Sequence, residues 1–246
     1  MRNVYHTDGS TACFFTAVFD AYLDKLAYLS SSNELQLELG DEWKEVHPDK
    51  DKAVRVVNKL KQADGHALTE LDRILRSNSP KKEQIAYRYL RLVIKYGAHA
   101  REKLAMDEVR SAMDICAKVG YEIHRLHGFL RFQEHANGGF YAKCAPDHDI
   151  VDLLMPHFVA RFKQTAFVIH DIKRGLACLY NGSDWIEINA PEAGFEISEQ
   201  EKEIETLWKK YYHTVAIPER KNTKQMKNYM PTRYWKFMTE KEGDDI

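Results

Sequence analysis

The chain has 246 residues, of which 44% are hydrophobic and 30% are charged, and its formal net charge at pH 7 is -1. This composition is typical of a globular protein with a sizeable core, and neither a run of about 18 apolar residues nor a signal-peptide-like start is present, so we expect no membrane span. The four cysteines form no C-x-x-C pair, which argues against a zinc knuckle, an iron–sulfur site or a disulfide framework and favours a reducing cytoplasm.

The first half of the chain is predicted to be mostly helical. NVYHT is a short strand that ends at the Asp8-Gly9 turn, and the apolar spacing after it predicts a helix over residues 11–29. The polar segment 30–50 is interpreted as a loop with at most a short strand near residues 35–39. Further helices are expected at about 50–64, 66–77, 80–97 and 106–127.

In the second half the hydrophobic period changes from helical to strand-like. GFLRFQE and GFYAKCA form a predicted hairpin, and AFVIHD, LACLYN and DWIEI form a predicted three-strand meander. Between them, Asp149 is the expected cap of a helix that reaches Arg161, with a kink or a break at Pro156. A helix over 199–215 and a basic C-terminal segment follow.

These elements predict an α+β fold. A helical N-terminal half, residues 1–127 with one short strand, would pack on a mainly antiparallel sheet in residues 128–246. The order in the sheet region would be hairpin, helix and meander, followed by a basic C-terminal helical segment. We expect one compact unit.

Charge is segregated along the chain in spite of the near-neutral total. Two blocks, 34–49 and 192–205, each carry six acidic residues and one lysine, whereas 73–131 carries 13 basic and 6 acidic residues. The segment 218–238 has six basic residues and one acidic residue. Basic blocks of this size favour an anionic partner, nucleic acid first, although solvated helix faces would have the same composition.

Histidine and aspartate are concentrated in PDHDIVDLLMPHFVARF, residues 146–162. His148 precedes a predicted helix start, where backbone N–H groups favour an anion, and His157 shares a helical face with Arg161. His124 and His127 continue an apolar helical face toward the first strand. For His127 we favour an ordinary position at a helix C-terminus.

The segment IHDIKRG places His170 and Asp171 at a strand end, with Lys173 and Arg174 in the following turn. This set is typical of an edge that binds an anion or contacts a base. His148 with Asp147 or Asp149, or His170 with Asp171, could form a general acid–base pair. The cofactor content stays open: a divalent metal is an alternative, but the spacings match no compact ligand set such as H-E-x-x-H.

The tail ERKNTKQMKNYMPTRYWKFM alternates basic and aromatic residues. Its basic residues are Arg220, Lys221, Lys224, Lys227, Arg233 and Lys236, and its aromatic residues are Tyr229, Tyr234, Trp235 and Phe237. Basic groups neutralise phosphates and aromatic rings stack on bases, which indicates a nucleic-acid contact. In the alternative interpretation the tail is a docked helix with its aromatic residues in the core and its lysines in solvent.

The motifs HRLHGFLRF, PDHDIVDLLMPHFVARF, IHDIKRG…LYNGSDW and ERKN…MPTRYWKFM together resemble a bacterial family of unknown molecular function, usually called probable DNA metabolism proteins. The opening VYHTDGSTACFFTAVFDAY is also similar, although Ala12-Cys13 departs from the pattern. In that family the gene typically accompanies a radical-SAM protein assigned to DNA modification or repair, and some relatives are fused to a uracil-DNA glycosylase. The resemblance implies a role in DNA repair or modification, with DNA and that radical-SAM protein as partners.

The resemblance adds Arg131 and Phe132 to the candidate residues and leaves every role to be inferred. The candidate catalytic residues are His148, His170, Asp147, Asp171 and His157. The candidate phosphate-binding residues are Arg131, Arg161, Lys173, Arg174, Arg220, Lys221 and Arg233. The remaining candidate pocket residues are His124 and Phe132.

The sequence is compatible with three alternative functions. It does not decide whether the protein is an enzyme. In the first, a cytoplasmic DNA repair or modification factor binds nucleic acid and works with a radical-SAM protein. In the second, a stand-alone His/Asp acid–base enzyme acts on a nucleobase or a phosphodiester. In the third, a protein–protein adaptor uses its acidic blocks to bind the other protein and has no affinity for nucleic acid.

Overall fold

A computed structural model of the protein describes residues 1–136, 138–191, 196–220 and 222–241. The chain divides into two compact units, Met1–Gly120 and Tyr121–Ile246. Helices and two β-sheets make up the described residues, which confirms the predicted α+β class. No helix in these ranges is long and apolar enough to cross a membrane.

The first unit contains a small parallel sheet that the sequence predicted only in part. Its strands are β1 (Asn3–His6), β2 (Ala27–Ser30) and β3 (Glu42–Glu45), in the order β2-β1-β3. Helix α1 (Thr11–Ala21) is shorter than predicted because Asp24 fixes the next turn: its carboxylate accepts hydrogen bonds from Asn3, Tyr5 and the Leu26 backbone. The polar strand β3 has no apolar alternation, so the sequence pattern could not predict it.

The other helices of the first unit agree with the predicted ones. They are α2 (Lys50–Ala63), α3 (Ala67–Leu75) and α4 (Lys82–Tyr96), with a 3-10 turn at Gly97–Glu102. Asp49 caps α2 by accepting hydrogen bonds from two backbone N–H groups. Leu60, Leu71, Ile74 and Leu90 are fully buried between these helices and form the core of the unit.

Helix α5 (Asp107–Phe129) begins in the first unit and ends in the second, where a five-stranded sheet follows. The strands, in spatial order, are β4 (Gln133–Glu134), β5 (Phe140–Cys144), β6 (Phe167–Asp171), β7 (Leu176–Tyr180) and β8 (Trp185–Asn189). Three of the four pairings are antiparallel, but β5 and β6 run parallel. The prediction of a mainly antiparallel sheet is therefore matched in part. The exception is the β5–β6 pair, because the helix between these strands brings the chain back for a strand in the same direction.

That crossover helix, α6 (Val151–Phe162), differs from the prediction at two points. Its cap position is Ile150 rather than Asp149, and Ile150 is fully buried. The helix also continues through Pro156, so the expected break does not occur. Burial of Leu154 and Phe158 on its inner face offsets the roughly 3 kcal/mol that an interior proline costs.

The C-terminal segment is helical, as predicted. It comprises α7 (Glu199–Val215), α8 (Thr223–Tyr229) and 3-10 turns at Pro218–Arg220, Thr232–Phe237 and Thr239–Lys241. Tyr234 and Trp235 are buried, and the indole N–H of Trp235 donates to the carbonyl of Met230 at 3.0 Å. These two aromatic side chains therefore belong to the core, as the alternative interpretation of the tail expected.

Candidate functional site

A buried carboxylate lies at the centre of the contacts between the loop before α6 and the C-terminal segment. Glu122, on α5, is 2% exposed and accepts hydrogen bonds from the backbone N–H groups of Asp147 (3.0 Å) and His148 (2.9 Å). It also accepts from the guanidinium of Arg233 and the hydroxyl of Tyr234, both at 3.0 Å. Glu122 thus joins α5, the loop before α6 and the C-terminal segment.

The surroundings of Glu122 and His148 lower the pKa of both side chains. Burial opposes the charge of Glu122, but the donors from Asp147, His148 and Tyr234 outweigh it and lower the pKa of the carboxyl. Burial lowers the pKa of His148, although the carboxylates of Glu122 and Asp147 oppose that shift. Burial also raises the pKa of Tyr234, and the adjacent Glu122 adds to the effect.

Asp171 and Arg174 hold the same loop from the other side. The fully buried carboxylate of Asp171 accepts from the Arg174 guanidinium at 2.7 Å and from the Lys173 backbone at 2.9 Å. Arg174 also donates to the carbonyls of Pro146 (3.1 Å) and Asp147 (2.8 Å). Both terminal nitrogens of Arg174 are therefore engaged within the protein, so its role is to position the loop.

His170 is a structural residue in this arrangement. The residue is 3% exposed, with Nδ1 2.6 Å from the Tyr141 hydroxyl and Nε2 2.8 Å from the carbonyl oxygen of Ala190. Because the carbonyl only accepts, Nε2 donates and Nδ1 accepts from Tyr141. Both ring nitrogens are therefore engaged within the protein and are not available to a substrate. The Asp171 carboxylate contacts a different set of groups. The expected acid–base pair of His170 and Asp171 is thus not formed.

Beside this loop lies a cleft of about 580 Å³, here called the Arg233 cleft. Its lining residues are Ala145, Asp147, Ile172, Lys173, Thr232, Arg233 and Lys236. Arg233 is 3.0 Å from the Asp147 carboxylate and Lys173 is 3.9 Å from it. Three cationic side chains against one carboxylate give the cleft a positive character.

A larger groove of about 770 Å³, here called the tail groove, is formed by the end of α7, by α8 and by the last 3-10 turns. Its lining residues are Tyr212, His213, Val215, Ala216, Ile217, Arg220, Asn222, Thr223, Gln225, Met226, Lys227, Tyr229, Trp235 and Lys241. Lys241 lies over the rings of Tyr212 (4.9 Å) and Trp235 (5.2 Å). Among the described lining residues of this groove there is no carboxylate.

Arg131, a predicted phosphate-binding residue, and Phe132, a predicted pocket residue, have structural roles. Arg131 makes a bidentate ion pair with the buried Glu240, at 2.6 and 3.2 Å, and donates to the Gly128 carbonyl. Phe132 packs against Phe158, with ring centroids 4.9 Å apart. Neither residue lines the cleft or the groove.

The other three predicted histidines, His124, His127 and His157, form a separate group on α5 and α6. The rings of His127 and His157 stack at 4.1 Å with an interplanar angle of 15°. Burial lowers the pKa of His127, and the proximity of His157 and His124 lowers it further. Neither the exposed Arg161 nor these histidines line the cleft or the groove.

The structure therefore separates the predicted residues. Asp147, Lys173 and Arg233 meet in the Arg233 cleft, with His148, Asp171 and Arg174 behind it, whereas Arg220 lines the tail groove. Lys221 lies outside the described residues. Within the described residues, no group of three or more His, Cys, Asp or Glu side chains is placed to hold a metal ion.

Sequence reasoning missed Glu122 and Lys241. Glu122 had a usable signal, because it lies three residues after Val119 and four before Leu126, both buried, and so falls on the inner face of α5. A carboxylate at such a position must be paired. No pattern in the sequence pointed to Lys241. Its position over two aromatic rings depends on the tertiary fold of the C-terminal segment.

Comparison with known proteins identifies the family to which this chain belongs. No curated protein and no solved structure matches the chain. A family model described as a domain of unknown function, DUF4130, matches residues 80–240, which is more than half of the 246 residues. The match includes Glu122, the Arg233 cleft and the tail groove except for Lys241. The chain therefore belongs to the DUF4130 family.

Proposed function

We propose that this protein is a nucleic-acid-binding factor of DNA repair or modification and that the tail groove is its DNA interface. The observation that carries the proposal is the combination of basic and aromatic side chains along one groove. Arg220 and Lys227 provide exposed positive charge and Tyr229 provides an exposed ring, whereas Trp235 and Lys241 are buried in the wall of the groove. The resemblance to probable DNA metabolism proteins supports the same direction.

The groove suits a single strand better than a duplex. Tyr229 is 72% exposed, so its ring is accessible to an unpaired base, and stacking on an aromatic side chain contributes about 1–3 kcal/mol per base. Arg220 and Lys227 are exposed in the same groove and can neutralise phosphates without first breaking an internal ion pair with a lining carboxylate. Asn222 and Gln225 add amide groups that can hydrogen-bond to base edges or to the backbone.

The Arg233 cleft is lined in part by the same basic C-terminal segment. Arg233 already contacts Glu122 and Asp147, so its first role is to hold the tail, while Lys173 and Lys236 offer two further cations. We propose that these lysines contact phosphates beyond the groove. Replacing Arg233 or Arg174 by glutamate would also disturb the loop before α6. Substitutions of exposed residues in the tail groove therefore test DNA binding more directly.

The chemistry on bound DNA would come from a radical-SAM protein, as the resemblance implies. This sequence contains no C-x-x-x-C-x-x-C motif that could hold the cluster of such an enzyme. The acid–base alternative has less support, because both ring nitrogens of His170 are engaged and His148 is buried.

Fluorescence anisotropy with a labelled single-stranded oligonucleotide tests the proposal. Lys227→Glu and Tyr229→Ala should each weaken binding by about tenfold, because one removes a phosphate contact and the other a stacking platform. The matched controls are Lys59→Glu, on the exposed surface of α2, and Tyr121→Ala, where the tyrosine is 65% exposed. Both controls should bind as the unmodified protein does.

Two results would count against the tail groove as the DNA interface. If the protein binds the oligonucleotide but both groove variants keep full affinity, DNA binds elsewhere. If the protein does not bind at low salt, the DNA-binding function itself is wrong.

A further inference from the structure

Helix α7 keeps its apolar side chains in solvent. It has 17 residues, and the one among them that is buried is Glu201. Five of its large apolar residues are between 41% and 65% exposed. They are Ile204, Leu207, Trp208, Tyr211 and Val215. A helix of this kind gains little from its own protein and normally packs against something else.

These five residues form one continuous surface, here called the apolar stripe. They follow one another at steps of three, one, three and four residues, which places them on one face of an α-helix. Trp208 and Tyr211 stack at its centre, with ring centroids 5.7 Å apart. The indole N–H of Trp208 donates to Glu240 at 3.1 Å, so one edge of the ring is fixed while the rest remains accessible.

Charge is divided along the same helix. The first seven residues, 199–205, contain four glutamates and one lysine, whereas 206–215 contains two lysines and one histidine and no carboxylate. Glu203 and Lys210, both exposed, lie seven residues apart. Because seven residues make almost two full turns, they lie on the same flank of the apolar stripe.

We propose that the apolar stripe binds a second copy of this chain, with the two α7 helices antiparallel about a twofold axis. With the twofold axis level with residues 206 and 207, Glu203 of one copy lies opposite Lys210 of the other, and symmetry repeats the pair. A parallel arrangement would bring like charges together at the same levels. The helix is therefore complementary to itself in one direction, which is what an isologous interface requires.

Other occupants fit this surface less well. Nucleic acid would be repelled by the glutamates of the first half and would find no phosphate contacts along the apolar stripe. A membrane surface favours helices with basic residues on both flanks, whereas here the first half is acidic. A second copy satisfies the apolar residues and both kinds of charge at once.

Sedimentation of the whole protein over a roughly hundredfold concentration range tests the inference. The protein should convert from monomer to dimer, and Leu207→Glu should leave it monomeric. Glu203→Lys and Lys210→Glu should each weaken the dimer by about tenfold or more, because each brings two like charges together twice. The double variant E203K/K210E should restore dimerisation, because it exchanges the charges and keeps the pairing.

The control is Glu34→Lys, which makes the same charge change on an exposed loop and should not alter dimerisation. Two results would overturn the inference. One is a protein that stays monomeric over the whole range. The other is a dimer for which E203K/K210E is as weak as either single variant, because the charge pair would then lie elsewhere.

Discussion

The carboxylate of Glu122 shows how one residue can fix the position of a whole segment. Moving a lone carboxylate into the interior costs several kcal/mol, and this cost is recovered only if donors surround it. Two backbone N–H groups, a guanidinium and a hydroxyl supply those donors here. The place of Arg233 and Tyr234, and with them the Arg233 cleft, therefore depends on the charge of Glu122.

Glu122→Gln should lower the free energy of unfolding by about 2–4 kcal/mol at pH 7. Glutamine keeps the shape of the side chain but loses the negative charge that pairs with Arg233. The amide N–H₂ of glutamine would also face one of the backbone N–H groups, so two donors would meet without an acceptor. Urea denaturation followed by circular dichroism gives the difference. Glu34→Gln, at an exposed position, should change stability by less than about 0.5 kcal/mol.

The pH dependence of that difference has a definite sign. Because the folded-state pKa of Glu122 lies below its usual value of 4.5, the ionised form stabilises the fold above that pH. This contribution is lost as the pH falls through the folded-state pKa. The gap between the original protein and Glu122→Gln should therefore be largest at neutral pH and shrink below about pH 4.5. A gap that widens in acid would contradict the assigned charge.

At the scale of elements, an ion pair between distant parts of the sequence closes the C-terminal segment. Arg131, just before β4, holds Glu240 across a separation of 109 residues, and the Trp208 indole of α7 donates to the same carboxylate. Burial raises the pKa of Glu240, but the hydrogen bonds from Arg131 and Trp208 and the positive charge of Arg131 together contribute to a net downward shift. Three elements thus converge on one carboxylate.

Arg131→Ala should loosen the last 3-10 turns, because Glu240 would remain buried with its main cation removed. Arg131 is partly exposed, so we expect a modest loss of stability, about 1–3 kcal/mol. Limited trypsin digestion should cleave at the exposed Lys236 several-fold faster than in the unmodified protein. Arg131→Lys keeps the charge and should give an intermediate rate, whereas an unchanged rate in Arg131→Ala would show that the pair does not hold the segment.

The elements themselves were largely predictable from periodicity, and their pairings were predictable only in part. Hairpin, crossover helix and meander follow from alternation and turn residues, whereas the parallel β5–β6 pairing follows from the path of α6. The contact between Arg131 and Glu240 could not be predicted, since no local spacing relates residues so far apart. His148 and His170 were predicted as site residues from their chemistry, but burial decides their roles and burial depends on the assembled sheet.

At the scale of the whole molecule, the tail groove is the surface on which the proposed function depends. The charge block at 218–238, unremarkable in a chain with a net charge of -1, forms one side of a groove whose described lining residues include rings and cations and no carboxylate. The sequence predicted the composition of this surface. It could not predict that the end of α7 would complete the groove, because Tyr212 and His213 lie outside the basic block.

The most direct measurement is the affinity of the protein for a single-stranded oligonucleotide over a series of salt concentrations. For single strands, each neutralised phosphate contributes about -0.7 to the slope of log K against log salt, so contacts from the exposed Arg220 and Lys227 predict a slope of about -1.4 or steeper. Lys227→Glu should make that slope shallower by at least about 0.7, and Lys59→Glu should leave it unchanged. An affinity that does not depend on salt, or a slope that Lys227→Glu does not change, would contradict the assignment of the tail groove as the DNA interface.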